Sequence, residues 1–321
     1  MTSTMRILAT RHYPDAVEQR LTRDYKATLN PEDRYFKAKD LARASVDMSG
    51  LLISPRETLD ARCIDTLPNS VRIVGTFSVG TDHIDIEAAR QRGLTVTNVR
   101  GVLAETCADL AMMLLLTAAR RAFEGDQLVR TGAWTGWAPR ELLGIGFQGK
   151  RLGILGMGQI GRALARRASA FGMSIHYCNR KRLSPDLEAG ATYHAKPEEM
   201  LANCDFLSLN CPATPETTGF LNRERISLLP DRCVVVNVSR GELIDETALS
   251  DALTKGKLAA AGLDVFADEP NVHKPLRELP NVFLMPHAGS ATLETRVAMG
   301  MQILDGFDAF FSGRKVPNRI S

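Results

Sequence analysis

The stretch Leu152-Gly-Ile-Leu-Gly-Met-Gly-Gln-Ile-Gly161 carries the strongest indication of the fold. Its apolar start, 152–155, predicts a strand, and the spacing of the apolar residues beyond it predicts a helix. Between them, Gly156 permits a tight turn, Gly158 lets the backbone approach a phosphate, and Gly161 lets the helix pack close to the strand. The first turn of such a helix offers free N–H groups and a partial positive charge to an anion. The stretch therefore predicts a dinucleotide-binding strand–turn–helix unit.

Short apolar runs alternate with helix-like stretches along the chain, and the alternation restarts at residue 152. This alternation is typical of parallel sheets with helices on both faces. We expect an α/β protein with two doubly wound parallel sheets of the Rossmann or flavodoxin kind. The predicted strands lie at 7–10, 50–53, 71–74, 94–97, 152–155, 175–178, 206–209, 233–238, 260–265 and 282–284. The predicted helices include 55–67, 84–92 and 291–311.

Length and composition bound the class of protein. The chain has 321 residues, which suits two domains, and its 44% hydrophobic and 24% charged residues are ordinary for a globular protein. A net charge of +3 favours neither a nucleic-acid binder nor an acidic tail. The most apolar stretch, 110–119, is about half the ~20 residues that a membrane span needs, so it predicts a buried helix. Residues 1–6 carry no signal pattern, and we expect a cytoplasmic protein.

The six cysteines show no C-x-x-C pair and no zinc-like spacing with histidine. They lie in apolar runs, which predicts buried free thiols in a reducing compartment and no metal site. They are Cys63, Cys107, Cys178, Cys204, Cys211 and Cys233.

The residues that follow the predicted strand 175–178 bear on the choice of cofactor. An acid about 20 residues beyond the glycines would bind the adenine ribose 2′-hydroxyl. Asn179 stands there instead, and it does not repel a 2′-phosphate. Arg180 can grip a phosphate with its planar guanidinium, and Lys181 or Arg182 can add charge. An exposed basic loop is the alternative, but the position favours NADPH, with NADH possible.

Three further side chains follow predicted strands of the second half: Arg240, Glu269 and His287. Ligands of open α/β sheets bind outside the carboxyl ends of the strands, where a nicotinamide would lie. Arg240 can bind a carboxylate and polarise a carbonyl group. His287 can donate a proton near neutral pH, and Glu269 can favour its protonated form. Singly they could be a salt-bridge arginine, a loop acid and a core histidine, but together they indicate hydride transfer to a ketone.

These motifs resemble the D-isomer-specific 2-hydroxyacid dehydrogenases over nearly the whole chain. Within that family, the chain looks most similar to the glyoxylate/hydroxypyruvate reductase (D-glycerate dehydrogenase) branch. The family resemblance rests on the glycine turn and on residues 78–85, 237–245, 262–270 and 286–292. The branch resemblance rests on residues 132–139 and on the basic residues 180–182.

The resemblance implies the roles given above for Arg240, Glu269 and His287. It also implies that the backbone N–H groups of Val79 and Gly80 hold the substrate carboxylate, with Ser290 nearby. Asp264 would face the nicotinamide amide. The implied cofactor contacts are Gly156, Gly158, Gln159, Ile160, Gly161, the loop Asn179, Arg180, Lys181 and Arg182, and Cys211, Pro212, Val238, Asp264 and Gly289.

The resemblance further implies an interrupted domain order. A substrate domain takes residues 1–100 and 290–321, and a dinucleotide-binding domain with a dimerisation segment, 101–289, is inserted between them, with the cleft where they meet. Members of the family are usually dimers, so residues 110–130 and the loop with Trp134 and Trp137 would face the partner. Trp137 would either select the substrate in the neighbour's active site or pack in the dimer.

The expected function is an NADPH-preferring reductase of small 2-keto acids, converting glyoxylate to glycolate and hydroxypyruvate to D-glycerate. An NAD-linked D-glycerate or D-lactate dehydrogenase would have the same Arg240, Glu269 and His287. Phosphoglycerate dehydrogenase and phosphite oxidation are more remote alternatives. From another class, a corepressor that senses NAD(H) would share the fold without needing these side chains. Cys107 lies near the implied cofactor site and is interpreted as packing, since no base beside it is evident.

Overall fold

The computed structural model describes residues 5–321, which form two compact units. The first contains residues 5–103 and Ala291–Ser321, and the second, Ala104–Ser290, is inserted between these two segments of the chain. Each unit is built on one sheet, and all the pairings between its named strands are parallel. The expectation of two doubly wound parallel-sheet domains is therefore confirmed. The ligand that each unit binds stays a prediction.

The strands and helices follow one another along the chain in the expected alternation. The strands are β1 (Arg6–Ala9), β2 (Lys26–Thr28), β3 (Gly50–Ile53), β4 (Ile73–Thr76), β5 (Thr95–Thr97), β6 (Arg151–Leu155), β7 (Ser174–Cys178), β8 (Thr192–His194), β9 (Phe206–Leu209), β10 (Cys233–Asn237), β11 (Leu258–Leu263) and β12 (Val282–Leu284). The helices are α1 (Asp15–Asp24), α2 (Ala38–Ala44), α3 (Ala61–Thr66), α4 (Ile86–Gln91), α5 (Ala104–Ala119), α6 (Ala122–Arg130), α7 (Gln159–Ala170), α8 (Pro185–Glu188), α9 (Pro197–Leu201), α10 (Arg223–Leu228), α11 (Glu246–Thr254), α12 (Lys274–Glu278) and α13 (Leu293–Phe311). None of the helices within residues 5–321 has the length and apolar character needed to cross a membrane.

The first unit has five strands in the order β2-β1-β3-β4-β5. Successive residues of a strand point to opposite faces, so a central strand needs apolar residues throughout. In β3, Leu51 packs in a core with Leu41 of α2 and Ile64 of α3. Its neighbour Leu52 packs in the opposite core with Phe307 of α13. Helices thus cover both faces of this sheet.

The second unit has seven strands in the order β12-β11-β10-β9-β6-β7-β8. All residues of β10 are buried, because helices cover both faces of the strand. Val236 packs with Leu114 of α5 on one face, and Val235 packs with Leu249 of α11 on the other. The strand order reverses between β6 and β9, and the carboxyl ends of strands at such a reversal form a crevice that binds ligands.

The structure differs from the predicted elements at a few places. Short polar edge strands β2 and β8 were not predicted, because they lack an apolar run. The predicted helix 55–67 is wrong in its first half, since α3 begins only after Asp60, whose side chain accepts the N–H of Cys63 at 2.7 Å. Upstream of it, the N–H and Oγ of Ser54 both donate to Glu57 Oε2 at 2.8 Å, which holds a turn in place of a helix.

Two predictions about buried groups can be compared directly with the structure. The apolar stretch 110–119 is the second half of α5, and Ala111, Leu114, Leu115 and Ala118 on it are buried, so the prediction of a buried helix is confirmed. All six cysteines are free, but Cys211 is only partly buried while the other five are buried.

Candidate active site

The glycine turn joins β6 to α7 with little space on two of its sides. Gly156 has φ +94°, and a Cβ there would lie 2.6 Å from the backbone nitrogen of Cys211. A Cβ on Gly161 would lie 2.5 Å from the carbonyl oxygen of Gly156, so the helix starts close against the turn. A Cβ on Gly158 would meet nothing within 4 Å. Because no side chain caps α7, its first N–H groups also remain available. The open side of Gly158 and this helix end fit a dinucleotide pyrophosphate.

The residues after β7 lie at the same carboxyl edge, one strand away from the turn. Asn179 Oδ1 accepts the backbone N–H of Met157 at 2.7 Å, which fastens the end of β7 to the glycine turn. Arg180 and Lys181 are exposed, and neither has a hydrogen bond or ion pair with any of residues 5–321. Arg182 differs, because it is paired with the carboxylate of Glu188, the last residue of α8.

His287 and Glu269 form a hydrogen-bonded pair at the other half of this edge. The two residues follow β12 and β11, which are parallel neighbours, so their loops leave the sheet side by side. His287 Nδ1 lies 2.8 Å from Glu269 Oε2, and Glu269 Oε1 accepts the N–H of Phe266 at 3.0 Å. The hydrogen bond to Glu269 outweighs burial and raises the pKa of His287. Burial acts to raise the pKa of Glu269, but the bond to His287 and nearby charge lower it.

Arg240 follows β10, the next strand in the sheet. Its positive charge acts on both members of the pair: it lowers the pKa of Glu269 and opposes the rise in the pKa of His287. A Cβ on Gly241 would lie 1.9 Å from the carbonyl carbon of Phe266, so only glycine lets the loops after β10 and β11 pass this closely. The three predicted catalytic side chains are therefore brought together at neighbouring strand ends.

Asp264 has a structural role that sequence reasoning missed. Its buried carboxylate accepts the backbone N–H of Ala288 at 2.6 Å and that of Gly289 at 2.9 Å. Its own carbonyl oxygen accepts the N–H of His287 at 2.8 Å, and His287 has φ +54°. Burial raises the pKa of Asp264. Asp264 thus holds the left-handed turn that carries His287, and its contact with a nicotinamide amide stays a prediction.

The remaining predicted cofactor contacts lie beside this edge. Val238 follows β10 and is buried, and the Cys211 carbonyl oxygen, after β9, accepts the Ser239 hydroxyl group. Burial raises the pKa of Cys211 to about 11, and burial with the nearby Asp264 raises the pKa of Cys107 to about 12. Both thiols therefore stay protonated at neutral pH, which agrees with the interpretation of Cys107 as packing. Pro212, Gln159, Ile160 and Ser290 lie in loops or a helix start of the same unit, and their contacts stay predictions.

Val79 and Gly80 belong to the first unit, in the loop that follows β4. The Val79 carbonyl oxygen accepts Asn98 Nδ2 at 2.7 Å, and the Gly80 carbonyl oxygen accepts Ser78 Oγ at 2.6 Å. Their own N–H groups make no hydrogen bond within residues 5–321. The two carbonyl groups are thus fixed, and the two adjacent N–H donors remain available to an anion such as a carboxylate.

The loop with the two tryptophans packs poorly within its own chain. Trp137 is 82% exposed and Trp134 is 52% exposed. The preceding helix α6 has no buried residue, and Phe123 and Val129 on it are exposed. The prediction that residues 110–130 and this loop face a partner subunit stays a prediction. Neither predicted role of Trp137 is decided by the structure of one chain.

Comparison with known proteins places the chain. The family model for the NAD-binding domain of the D-isomer specific 2-hydroxyacid dehydrogenases matches residues 112–289. A glycerate dehydrogenase from Hyphomicrobium methylovorum is 41% identical, over 97% of each chain. A glyoxylate reductase from Pyrococcus furiosus is 38% identical, over 98% of this chain and 95% of its own.

Solved structures give the same result. A putative D-isomer specific 2-hydroxyacid dehydrogenase from Polaromonas sp. JS6 66 is 43% identical, with a TM-score of 0.96 over 99% of both chains. An NADPH-dependent glyoxylate/hydroxypyruvate reductase from Sinorhizobium meliloti is 36% identical, with a TM-score of 0.88 over 99% of this chain and 98% of its own.

The sheet order, the glycine turn and the side chains at the strand ends define a nicotinamide-dependent oxidoreductase. The chain belongs to the D-isomer specific 2-hydroxyacid dehydrogenase family, in its glyoxylate/hydroxypyruvate reductase branch. The resemblance found in the sequence is therefore confirmed.

Proposed function

We propose that the protein is an NADPH-preferring reductase that converts glyoxylate to glycolate and hydroxypyruvate to D-glycerate. The observation that carries this proposal is the His287–Glu269 pair, 2.8 Å apart, beside Arg240 at the carboxyl edge of the dinucleotide-binding sheet. The names of the relatives support the substrate class, since they include glyoxylate reductases and a glycerate dehydrogenase.

In the first unit, the available N–H groups of Val79 and Gly80 are the proposed donors for the substrate carboxylate. In the second unit, Arg240 is the proposed cation for the substrate. Arg240 also polarises the keto oxygen, because a guanidinium stabilises the negative charge that develops there during reduction. A substrate held by both its carboxylate and its keto oxygen presents one face of the carbonyl carbon to the hydride donor. This accounts for a product that is a single enantiomer.

NADPH, when bound, supplies the hydride to the carbonyl carbon. His287 supplies the proton to the carbonyl oxygen. Because Nδ1 is engaged by Glu269, Nε2 is the nitrogen that faces the substrate and donates. The bond to Glu269 raises the pKa of His287 and so favours the protonated imidazole, the form that an acid for the reductive direction needs. In the oxidative direction the same nitrogen takes the proton from the hydroxyl group.

The proposed preference for NADPH rests on the residues after β7. The side-chain oxygen of Asn179 accepts a hydrogen bond from the glycine turn and brings no negative charge near the adenine ribose. Arg180 is exposed and forms no ion pair within residues 5–321, so its guanidinium is available to a 2′-phosphate. A relative from Sinorhizobium meliloti, 36% identical, is described as NADPH-dependent and was crystallised with NADP and malonate.

A homodimer accounts for the exposed apolar residues of α6 and the tryptophan loop. Residues 110–130 and the loop with Trp134 and Trp137 would face the partner subunit, and burial of the two tryptophans there would stabilise the pair. Sedimentation of the purified protein tests this point, and a monomer at micromolar concentration would contradict it. We also propose a cytoplasmic location, as the sequence led us to expect.

The decisive experiment measures initial rates with hydroxypyruvate and glyoxylate as the concentration of NADPH or NADH is varied. We expect turnover of both acids, with a higher kcat/KM for NADPH. A higher kcat/KM for NADH would instead favour an NAD-linked D-glycerate dehydrogenase, a second candidate that the 41% identical glycerate dehydrogenase supports. No turnover of any 2-keto acid with either cofactor would favour the NAD(H)-sensing corepressor.

A further inference from the structure

The three cations that follow β7 differ in what holds them. Arg182 Nε donates to Glu188 Oε1 at 2.8 Å and its Nη2 donates to Glu188 Oε2 at 3.1 Å, a two-point pairing. Its guanidinium carbon also lies 5.8 Å from the centre of the Tyr193 ring. Arg180 and Lys181 have no such partners within residues 5–321. The two arginines, close in sequence, are therefore in different electrostatic situations.

Glu188 is largely buried, and its carboxylate is held by hydrogen bonds. Its side chain is only 9% exposed, and it accepts the hydroxyl group of Tyr177, a fully buried residue of β7. The same hydroxyl oxygen accepts the backbone N–H of Leu183 at 3.1 Å. Arg182, Glu188 and Tyr177 thus tie the loop 182–188 to the strand. If Arg182 left this pair to meet a ligand, Glu188 would remain as a nearly buried carboxylate without its counter-ion, which is unfavourable.

Arg180 lies between two residues, Asn179 and Arg182, whose side chains are held by hydrogen bonds. At one end of its loop, Asn179 Oδ1 is bonded to the Met157 N–H of the glycine turn at 2.7 Å. At the other end, Arg182 is bonded to Glu188. A short loop fixed at both ends leaves Arg180 little freedom of the backbone while its guanidinium stays exposed, and preorganised donors of this kind bind ligands with a smaller loss of entropy.

The charge of Arg180 acts on a residue of the loop that follows β9. The carboxylate of Glu216 in that loop is stabilised first by Thr214 and its own backbone, and the positive charge of Arg180 contributes to its lowered pKa. The strand that carries the glycine turn, β6, lies between β7 and β9 in the sheet. The carboxyl edge of these strands is where the adenosine half of a dinucleotide is expected.

We propose that Arg182 is a positioning residue, paired permanently with Glu188, and that Arg180 alone among the arginines of this loop binds the 2′-phosphate of the cofactor. This rests on the proposed preference for NADPH and goes beyond it, because it makes Glu188 a residue that contributes to that preference. Lys181 contributes only screened charge. A carboxylate that strengthens the binding of a phosphate is unexpected from charge alone, and this makes the inference testable.

The test measures equilibrium binding, by calorimetry, of adenosine 2′,5′-bisphosphate and of AMP, which differ by the 2′-phosphate. Arg180→Ala should weaken binding of the bisphosphate, relative to AMP, by about 10- to 100-fold, since hydrogen bonds to charged groups contribute this much. Arg182→Ala and Glu188→Gln should each weaken it by about two- to fivefold, as for loss of a partly exposed ion pair. The double variant should be no worse than either single variant, because both remove the same contact.

The alternative, in which Arg182 itself contacts the 2′-phosphate, predicts the opposite results. If Arg182 itself bound the phosphate, Glu188→Gln would release it and strengthen binding of the bisphosphate, and Arg182→Ala would weaken it as much as Arg180→Ala. Either result would overturn the inference. Arg223→Ala is a matched control, since Arg223 is as exposed as Arg182 (65% and 66%) and pairs with Asp251 far along the chain. Arg223→Ala should leave the affinity for the bisphosphate relative to that for AMP unchanged.

Failure of the proposed cofactor preference would be recognised separately. If the unaltered protein bound the bisphosphate no better than AMP, both the preference and this inference would be wrong. If it bound the bisphosphate better, but Glu188→Gln strengthened binding further, only the inference would be wrong. Thermal melting of each variant shows whether the substitution has unfolded the second unit.

Tyr177→Phe removes one hydrogen bond to Glu188 and keeps the charges of Glu188 and Arg182. It should also weaken binding of the bisphosphate relative to AMP, but by less than Glu188→Gln does.

Discussion

Beyond β10, β11 and β12 the polar side chains are bonded to one another and to the backbone, whereas beyond β7 two of the three cations have no hydrogen bond or ion pair within residues 5–321. His287 is held by Glu269 at 2.8 Å, and the turn that carries it is held by Asp264. Proton transfer requires a donor atom at a set distance and angle, so its side chains must be fixed before the substrate arrives. Recognition of a phosphate can rely on a charge that completes its bonds only with the ligand. The two halves of one sheet edge should therefore respond differently to substitution, pH and salt.

Replacement of the proton donor should have the largest effect. His287→Ala should lower kcat for hydroxypyruvate reduction by about 10²–10⁴-fold, the usual contribution of a general acid. The dissociation constant of NADPH, measured by fluorescence, should change little by comparison, because the residues after β7 are untouched. Turnover close to that of the unaltered protein would mean that another group donates the proton.

Reversal of charge at the other half of the edge should affect one cofactor far more than the other. Arg180→Asp should raise the KM for NADPH by about 10- to 100-fold, because it removes a charge-assisted bond to the 2′-phosphate and adds repulsion. The KM for NADH should rise much less. Added salt should narrow the difference in the unaltered protein, since the charge is exposed. Equal rises for both cofactors would show that Arg180 does not contact the phosphate.

Removal of the charge on Glu269 should move the pH dependence of the reaction. Reduction uses the imidazolium form, so activity is present below the pKa of His287 and is lost as the pH rises through it. Glu269 raises that pKa, and Glu269→Gln should therefore move the loss of activity to lower pH. At a fixed pH above the pKa of His287 in both proteins, the rate should fall about tenfold for every pH unit by which the profile moves.

A neighbouring carboxylate provides the control for this change in the pH profile. Glu246 supports the same loop by accepting the N–H of Ala267 at 3.0 Å and is not bonded to His287. Glu246→Gln should leave the pH profile of kcat where it is. An unmoved profile in Glu269→Gln would mean that Glu269 does not set the protonation of His287.

The smallest effect is expected from the residue that acts through the backbone. In Asp264→Asn, one of two carboxylate oxygens becomes an NH₂ group that faces an N–H donor, so one buried hydrogen bond is lost at a cost of about 1–3 kcal/mol. We expect a lower melting temperature and a several-fold lower kcat. The loss of activity should also move to lower pH, but less than in Glu269→Gln, because the charge of Asp264 contributes less to the raised pKa of His287 than Glu269 does. A variant as stable and active as the unaltered protein would show that the turn needs no such support.

Local signals were sufficient for much of the fold. The strands at 50–53 and 206–209 match β3 and β9, which lie inside their sheets and are buried along their whole length. The strand at 282–284 lies at the edge of its sheet, but its Val-Phe-Leu run is apolar and was recognisable for that reason. The edge strand β8, Thr192–His194, was missed because only one of its sides is paired and its residues are partly exposed. The helix predicted from residue 55 was wrong because Glu57 is drawn into the loop by Ser54, a contact that apolar spacing does not record.

The class of protein could be predicted from the amino-acid sequence, because glycines in a turn, apolar runs and the residue types at strand ends are local features tied to local requirements. The same local features singled out His287, Glu269 and Arg240, since each follows a recognisable strand. How those groups are used depends on contacts between residues that are distant in the chain, and these are visible in the three-dimensional structure. It shows that Nδ1 of His287 faces Glu269, that Asp264 holds the turn from 24 residues away, and that Arg182 is paired with Glu188 while Arg180 is not. Such pairings depend on which loops the parallel strands bring side by side, and the order of strands in a sheet is a property of the whole fold.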